Sequence, residues 1–300
     1  MLLGIQWERR NVGSDGGCIL CGSSRCVALF RKGGRSFVRC SGCRLVWVEP
    51  LPSEQELAAH CQRSYQEGGY ALFSAAEPIR RGIARYRLEK LRSLLPAGRW
   101  LDVGCSAGEF VEAALQEGVQ AEGLDLAEEA LARARQRGLR VHGSGVEGFA
   151  PEQPYDAVTA FDMLEHARNP RATLGHFRDW LRPGGKLVLT VPDVGSFYPR
   201  WLMRRHWFYY APDEHLFYFD RHTLARLLEV EGFQVERLAR AYKPLTVEYA
   251  ARMLRHFNAA LGGVAEVLVR PLPRALRTRS VPLFVGELLA VARRPEETRP

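Results

Sequence analysis

The 300-residue sequence predicts an α/β protein: a seven-stranded sheet with helices on both faces, a small cysteine-marked module in front, and a helical insert before the last strand. Three observations predict it. From Pro78 onward short apolar runs alternate with amphipathic ones, as in a sheet whose strands are joined by crossover helices. Four cysteines fall in two close pairs ahead of that region, and a basic stretch at 249–283 separates the last two strand-like runs. An apolar content of 46% is enough for a sizeable core.

Residues 1–17 carry too short an apolar stretch, followed by charge and glycine, to be a secretory signal, and read as a disordered leader of a cytoplasmic protein. No apolar run approaches the ~20 residues of a membrane helix. A front module with a linker arm occupies 18–77. It holds Cys18, Cys21, Cys40 and Cys43 in a C-x2-C-x18-C-x2-C pattern, the spacing of a zinc site. Two residues between thiolates let both sulfurs face one ion, and the second pair completes a tetrahedron. Four cysteine ligands leave no open position, so the expected zinc ion is structural. Cys26, Cys61 and Cys105 read as small packing residues. "LVWVEPLPSEQEL" follows as a strand, a proline turn and a helix start at Ser53, and "SYQEGGYALF", with Tyr65 and Tyr70, reads as the arm.

The main domain spans 78–295, before a tail at 296–300. A helix over Ile79–Leu95 precedes the first strand, Trp100–Val103. "EFVEAALQEG" is a helix, "VQAEGLDL" the second strand, "AEEALARARQRG" a helix and "RVHG" the third strand. "YDAVTAFDMLEH" supplies the fourth strand, "PRATLGHFRDWLRPGG" a helix closed by a Pro-Gly-Gly turn, and "KLVLTVP" the fifth. "TLARLLEVEGF", "QVERLARAY" and "GELLAVARR" give a helix and the last two strands. Ligands of such sheets bind beyond the carboxyl ends of the strands, where Asp102, Gly104, Asp125, Phe161, Asp162 and Pro192 fall.

The turn after the first strand, Gly104-Cys105-Ser106-Ala107-Gly108, lacks the middle glycine of a dinucleotide fingerprint, and Glu109 would set a negative charge beside a diphosphate. Asp125, ending the second strand, suits any adenosine ligand, because its two oxygens can accept both ribose hydroxyls. The ordered strings "LDVGCSAGEF", "GLDLAEEAL", "YDAVTAFDMLEH" and "LRPGGKLVLTVP" resemble the motifs of class I S-adenosylmethionine-dependent methyltransferases, which have a Rossmann-like seven-stranded sheet. The resemblance implies S-adenosyl-L-methionine as cofactor. It places Asp102, Gly104, Cys105 and Gly108 among the cofactor-binding residues, the glycines and Asp102 at the methionine end. It assigns Asp125 to the ribose with Leu126 beside it, Val146 within Gly145–Glu147 to the adenine, and Phe161 to the loop under the sulfonium. The four-cysteine module and "WFYYAPDEHLFYFDRHTLARLLEVEGF" are similar to sugar and natural-product methyltransferases with an N-terminal zinc motif.

For the reaction such a resemblance implies, a hydroxyl or carbon acceptor needs a base, and histidine serves near neutral pH. His215 is the leading candidate, with Asp213 and Glu214 near enough in sequence to orient it; a packing role for it stays open. His166 is the second candidate, a structural role near the cofactor its alternative. The aromatic segment 194–220 either lines an acceptor pocket or forms the core of a small subdomain. Arg200, Arg204 and Arg205 could hold a phosphate on a nucleotide- or lipid-linked sugar acceptor.

The formal net charge is +8, and 38 of the 42 basic residues are Arg, dispersed at helical spacing near acidic ones. Nucleic acid is therefore the less favoured partner. Enzymes that methylate base amines commonly carry Asn or Asp before Pro-Pro-Tyr after the fourth strand, where this chain has Phe161-Asp162-Met163-Leu164. A zinc-containing RNA methyltransferase and a non-catalytic cofactor-binding module are the alternatives to a small-molecule enzyme. The 249–283 insert reads as a helical cap, a homodimer surface or a membrane-surface contact.

Overall fold

A computed structural model describes residues 17–57, 59, 77–257 and 259–296. Most of the expected leader and arm, with Cys61, Tyr65 and Tyr70, and the tail from 297 lie outside the described residues.

The front module is a meander of β1 (Cys26–Lys32), β2 (Arg35–Cys40) and β3 (Val46–Glu49). The main domain runs α1 (Glu77–Leu91), β4 (Arg99–Val103), α2 (Glu109–Gln116), β5 (Gln120–Asp125), α3 (Glu128–Gln136), β6 (Val141–Gly143) and β7 (Tyr155–Phe161). It continues with α4 (Pro170–Trp180), β8 (Leu181–Pro192), β9 (Phe217–Tyr218), α5 (Arg221–Val230) and β10 (Gln234–Thr246). The insert helices α6 (Val247–Phe257), α7 (Ala259–Val269) and α8 (Arg274–Arg277) lead into β11 (Ser280–Arg293). The seven-stranded sheet has the order β10-β11-β8-β7-β4-β5-β6, parallel from β8 to β6, with β11 antiparallel to both of its neighbours. Central strands read as near-continuous apolar runs because both faces are covered: Leu101, Val158, Leu187 and Leu189 are fully buried.

The structure departs from the sequence reading in three places. The front module is not a free-standing appendage. β3 pairs with β9 through Val46 and Tyr218 and through Trp47 and Phe217, so the aromatic segment completes its sheet. One apolar core runs from Cys18, Leu20 and Phe37 through Trp207 and Phe219 to Val158 and Leu189. Second, α4 ends at Trp180, and the Pro-Gly-Gly turn lies within β8, whose Leu181 already pairs with Tyr155. Third, β10 and β11 are longer than expected and pair to Thr246 and Ser280, which confines the insert to 247–279. Pro244 is tolerated within β10 because this strand is the sheet edge, where a missing N–H breaks no ladder.

Candidate active site

The carboxyl edge of the parallel strands carries two half-sites. The first is a backbone cradle. β4 ends in Gly104 (φ 75°), Ser106 (φ 52°) and Gly108 (φ 81°), a run of left-handed residues that folds the chain back into α2. A side chain on Gly108 would lie 2.6 Å from Leu139 Cδ1, so glycine is required there for close packing as well as for its dihedral. Asp125 braces the turn: Oδ2 accepts the Ser106 N–H at 2.8 Å and Oδ1 the Ala127 N–H at 2.8 Å. Each carboxylate oxygen keeps a second lone-pair direction for a ligand hydroxyl.

Asp102 is buried, its Oδ1 accepting from Thr159 Oγ1 at 2.7 Å. Burial pushes its carboxyl up to about 7, against the pull of Thr159 and Arg87. Leu126 is 77% exposed beside Gly145, while Val146 is buried under the same rim. The structure thus gathers these expected cofactor residues around β4 to β6. Cys105 differs: its side chain packs in a cluster with Val111 and Leu131 and lies against Gly123, so only its backbone belongs to the turn. Phe161 packs edge-on against Phe110, with the Arg87 guanidinium 4.4 Å from its ring centre.

The second half-site is built from side chains. Asp162, at φ 54°, follows β7 and receives Arg87 from α1 (2.9 Å), Lys243 from β10 (2.9 Å) and Thr190 Oγ1 from β8 (2.8 Å). Lys243 also contacts Glu287 of β11 at 2.5 Å, and Tyr209 donates to the same carboxylate. Burial would raise the Asp162 carboxyl, but Lys243 and Arg87 outweigh it and hold it well below the usual range. The short turn after Asp162 presents Glu165 and His166. Glu165 is fully buried with neither carboxylate oxygen hydrogen-bonded, and burial with nearby Asp162 keeps it protonated well above the ordinary value.

His166 and His215 meet edge to face at 4.7 Å, and a nitrogen of each lies within 4.8 Å of a Glu165 oxygen. The Nδ1 atoms point at backbone carbonyls: His215 at Tyr209 (2.8 Å) and His166 at Glu214 (2.9 Å). A carbonyl only accepts, so the His215 Nδ1 carries the proton and its Nε2 keeps the lone pair, whereas the His166 ring meets two backbone acceptors, at Glu214 and at Asp162. Burial, with His166 beside it, lowers His215 to about 4, and it is neutral at pH 7. The orienting acceptor of His215 is therefore the Tyr209 carbonyl rather than Asp213 or Glu214. Asp213 lies 3.6 Å from Arg35, and Glu214 is exposed and acts on His166 through its backbone.

The aromatic segment divides. Trp207, Tyr210, Phe217, Tyr218 and Phe219 are core, whereas Phe197 and Trp201 face outward. Arg87, Lys243 and Glu287 were not singled out from the sequence, and Tyr209 entered only as part of the aromatic segment. Two signals were present: Lys243 is one of only four lysines in an arginine-rich chain, and Glu287 interrupts an apolar strand.

In the front module the Sγ atoms of Cys18 and Cys43 lie 3.4 Å apart and those of Cys21 and Cys40 3.5 Å apart, all four within 4.8 Å of one another. The Gly42 and Cys43 N–H groups point at Cys40 Sγ and, against burial, draw that thiol down to about 7. Converging sulfurs on N–H-rich knuckles fit a tetrathiolate ion.

A glycine turn after the first parallel strand, an acid ending the second and a polar cluster beyond the fourth define a methyltransferase-type α/β domain. A family model described as a methyltransferase domain matches residues 70–238, and the chain belongs to that family. A ubiquinone biosynthesis O-methyltransferase of Xanthomonas campestris is 40% identical over 108 residues, 33% of this chain and 45% of that protein. The enzyme of the same name from Xanthomonas axonopodis is 39% identical over 126 residues, 39% of this chain and 50% of that one. The chain thus spans about half the length of the curated relatives it matches. A solved SAM-dependent methyltransferase from Thermotoga maritima shares the fold, with a TM-score of 0.51 at 16% identity over 77% of this chain and 99% of that one.

Proposed function

We propose that the chain transfers the methyl group of S-adenosyl-L-methionine to a small-molecule acceptor, and that the front module holds one structural zinc ion. The observation that carries the reading is the left-handed turn Gly104–Gly108 braced by both oxygens of Asp125, inside the span that matches the family. That turn offers backbone to the ligand, with Asp125 for a ribose, exposed Leu126 as an apolar platform and Val146 behind it. The relatives' name favours an oxygen acceptor over nitrogen or carbon; a sugar hydroxyl, free or carrying a phosphate, stays within that class.

When bound, the cofactor supplies a sulfonium methyl for in-line displacement, so the protein's work is alignment and proton handling. Neutral His215 offers Nε2 to the acceptor proton, and the Tyr209 carbonyl holds the ring in that tautomer. His215 Nε2 would take the acceptor proton, while the bound cofactor would supply the methyl group and leave as the neutral thioether. His166 sits against the same ring, and Glu165, whose carboxyl burial raises, closes the buried side. The four cysteines, Cys18, Cys21, Cys40 and Cys43, would hold zinc and thereby fix β3 against β9, two residues beyond His215.

Calorimetry with S-adenosylmethionine tests the assignment. Asp125→Ala should weaken binding about tenfold or more, the worth of one or two charge-assisted hydrogen bonds. Unchanged affinity removes Asp125 from the ribose, and absence of heat with the parent chain removes the cofactor. Zinc content of one ion per chain, lost in Cys40→Ser, is the separate check on the front module.

A further inference from the structure

Beyond Glu287 and Pro192, the last register pair between β11 and β8, the β10–β11 ribbon continues alone through five pairs, from Tyr242 and Phe284 to Thr246 and Ser280. At about 3.3 Å per residue it carries the insert roughly 15 Å past the carboxyl edge of the sheet. There α7 packs on α6, and α6 on β10. The outward side of α7 is apolar at helical spacing, with Val264, Val267 and Leu268 each about 60% exposed, and Leu272 and Leu276 are exposed in the segment that follows.

Around the stripe the charge has one sign. Between 247 and 279 the acids are Glu248 and Glu266, already paired with Arg252 and Arg255. Arg270, Arg274, Arg277 and Arg279 form no ion pair with any described residue. A second patch of the same make lies at the same edge, in the segment after β8. Phe197, Trp201 and Leu202 are exposed next to Arg200, Arg204 and Arg205, and Tyr198 fastens this segment to the ribbon by donating to the Phe284 carbonyl at 2.7 Å.

We infer that this edge docks on an anionic lipid bilayer, apolar side chains entering the headgroup boundary and arginines meeting lipid phosphates. Two patches, each apolar with a basic rim, on one edge of a chain of net charge +8 fit that surface. A second copy of the chain would set arginine against arginine, and a nucleic acid would have no use for exposed Val264, Val267 and Leu268. The inference goes beyond methyl transfer and stands without it. On the transfer reading, it favours an acceptor carried in or on the bilayer.

Co-sedimentation of the full chain with vesicles tests it, using phosphatidylcholine alone and phosphatidylcholine with about 30% phosphatidylglycerol. The chain should associate with the anionic vesicles, more weakly as salt rises, and only feebly with the neutral ones. Val267→Glu with Leu268→Glu, and separately Arg274→Glu with Arg279→Glu, should each lower association about tenfold or more, since every altered side chain faces solvent. Circular dichroism melts unchanged from the parent would show both variants folded. Equal binding to both vesicle types, no binding, or binding indifferent to both double variants overturns the inference. So does a dimer in light scattering that either double variant dissolves, or RNA binding stronger than vesicle binding.

Discussion

The two halves of the carboxyl edge solve positioning in opposite ways. Around β4 and β5 the chain is placed by backbone: left-handed glycines, amide N–H groups and one bracing carboxylate. Around β7, β8, β10 and β11 it is placed by buried and half-buried side chains from several separate elements, with Asp162, Glu287, Lys243 and Arg87 at the centre. On the transfer reading proposed above, the backbone cradle would meet the cofactor and the side-chain network would face the acceptor.

The largest expected effect comes from breaking the network. Lys243→Met leaves Arg87 as the one cation beside Asp162 and Glu287 among the described residues, and an uncompensated buried charge of this kind costs about 3–5 kcal/mol. Denaturant unfolding measures it. Lys243→Met combined with Glu287→Met should recover much of the loss, since an apolar pair of similar volume avoids the desolvation altogether. A single-variant loss below about 1 kcal/mol would mean the charges merely fill space and the comparison fails.

That asymmetry also explains what the sequence disclosed. The succession of strands and helices, the glycine turn after the first parallel strand and the pairing of cysteines are local patterns, and the structure has the seven-stranded sheet and brings the four sulfurs together. Lys243 and Glu287 are 44 positions apart and meet only because β10 and β11 form a ribbon around an insert. Glu165 and His166 come together with His215 across 49 positions for the same kind of reason, through a segment pinned by β9. Asp213 and Glu214 looked suited to orient His215 because they precede it, yet the turn from Tyr209 brings a carbonyl to Nδ1 first. Neighbours in sequence compete with backbone that folds back, and only the fold decides between them.

The second effect is a pH term from the side-chain half. His215 has a pKa near 4 in the folded chain against 6.5 when exposed, chiefly because it is buried, and His166 faces it, while Glu214 and Asp162 pull the other way. Between those two values the unfolded chain binds a proton that the folded chain refuses, so stability rises with pH from about 4 to 6.5 and is level above. The gain is on the order of 3 kcal/mol from this one group. The difference in unfolding free energy between the parent and His215→Gln, followed across that window, isolates it. A difference that does not change with pH would place the imidazole in water rather than in the core.

The smallest effect belongs to the backbone half, and its smallness is the point. Leu126 is 77% exposed, so Leu126→Ala removes almost no buried area and should leave unfolding within about 0.5 kcal/mol of the parent. Its exposed methyls border Gly145 at the rim where an adenine would lie, so the variant should lose affinity for S-adenosylmethionine. Covering part of one leucine is worth about 1 kcal/mol, a factor of roughly five in the dissociation constant. A loss near a hundredfold would make this side chain, rather than the Gly104–Gly108 turn and Asp125, the chief contact. The half around β4 and β5 would then depend on side chains as heavily as the half around β7 to β11 does. A several-fold loss with an unchanged melt is the outcome that keeps the two halves distinct: one where trimming a side chain only weakens a ligand, and one where trimming Lys243 weakens the fold itself.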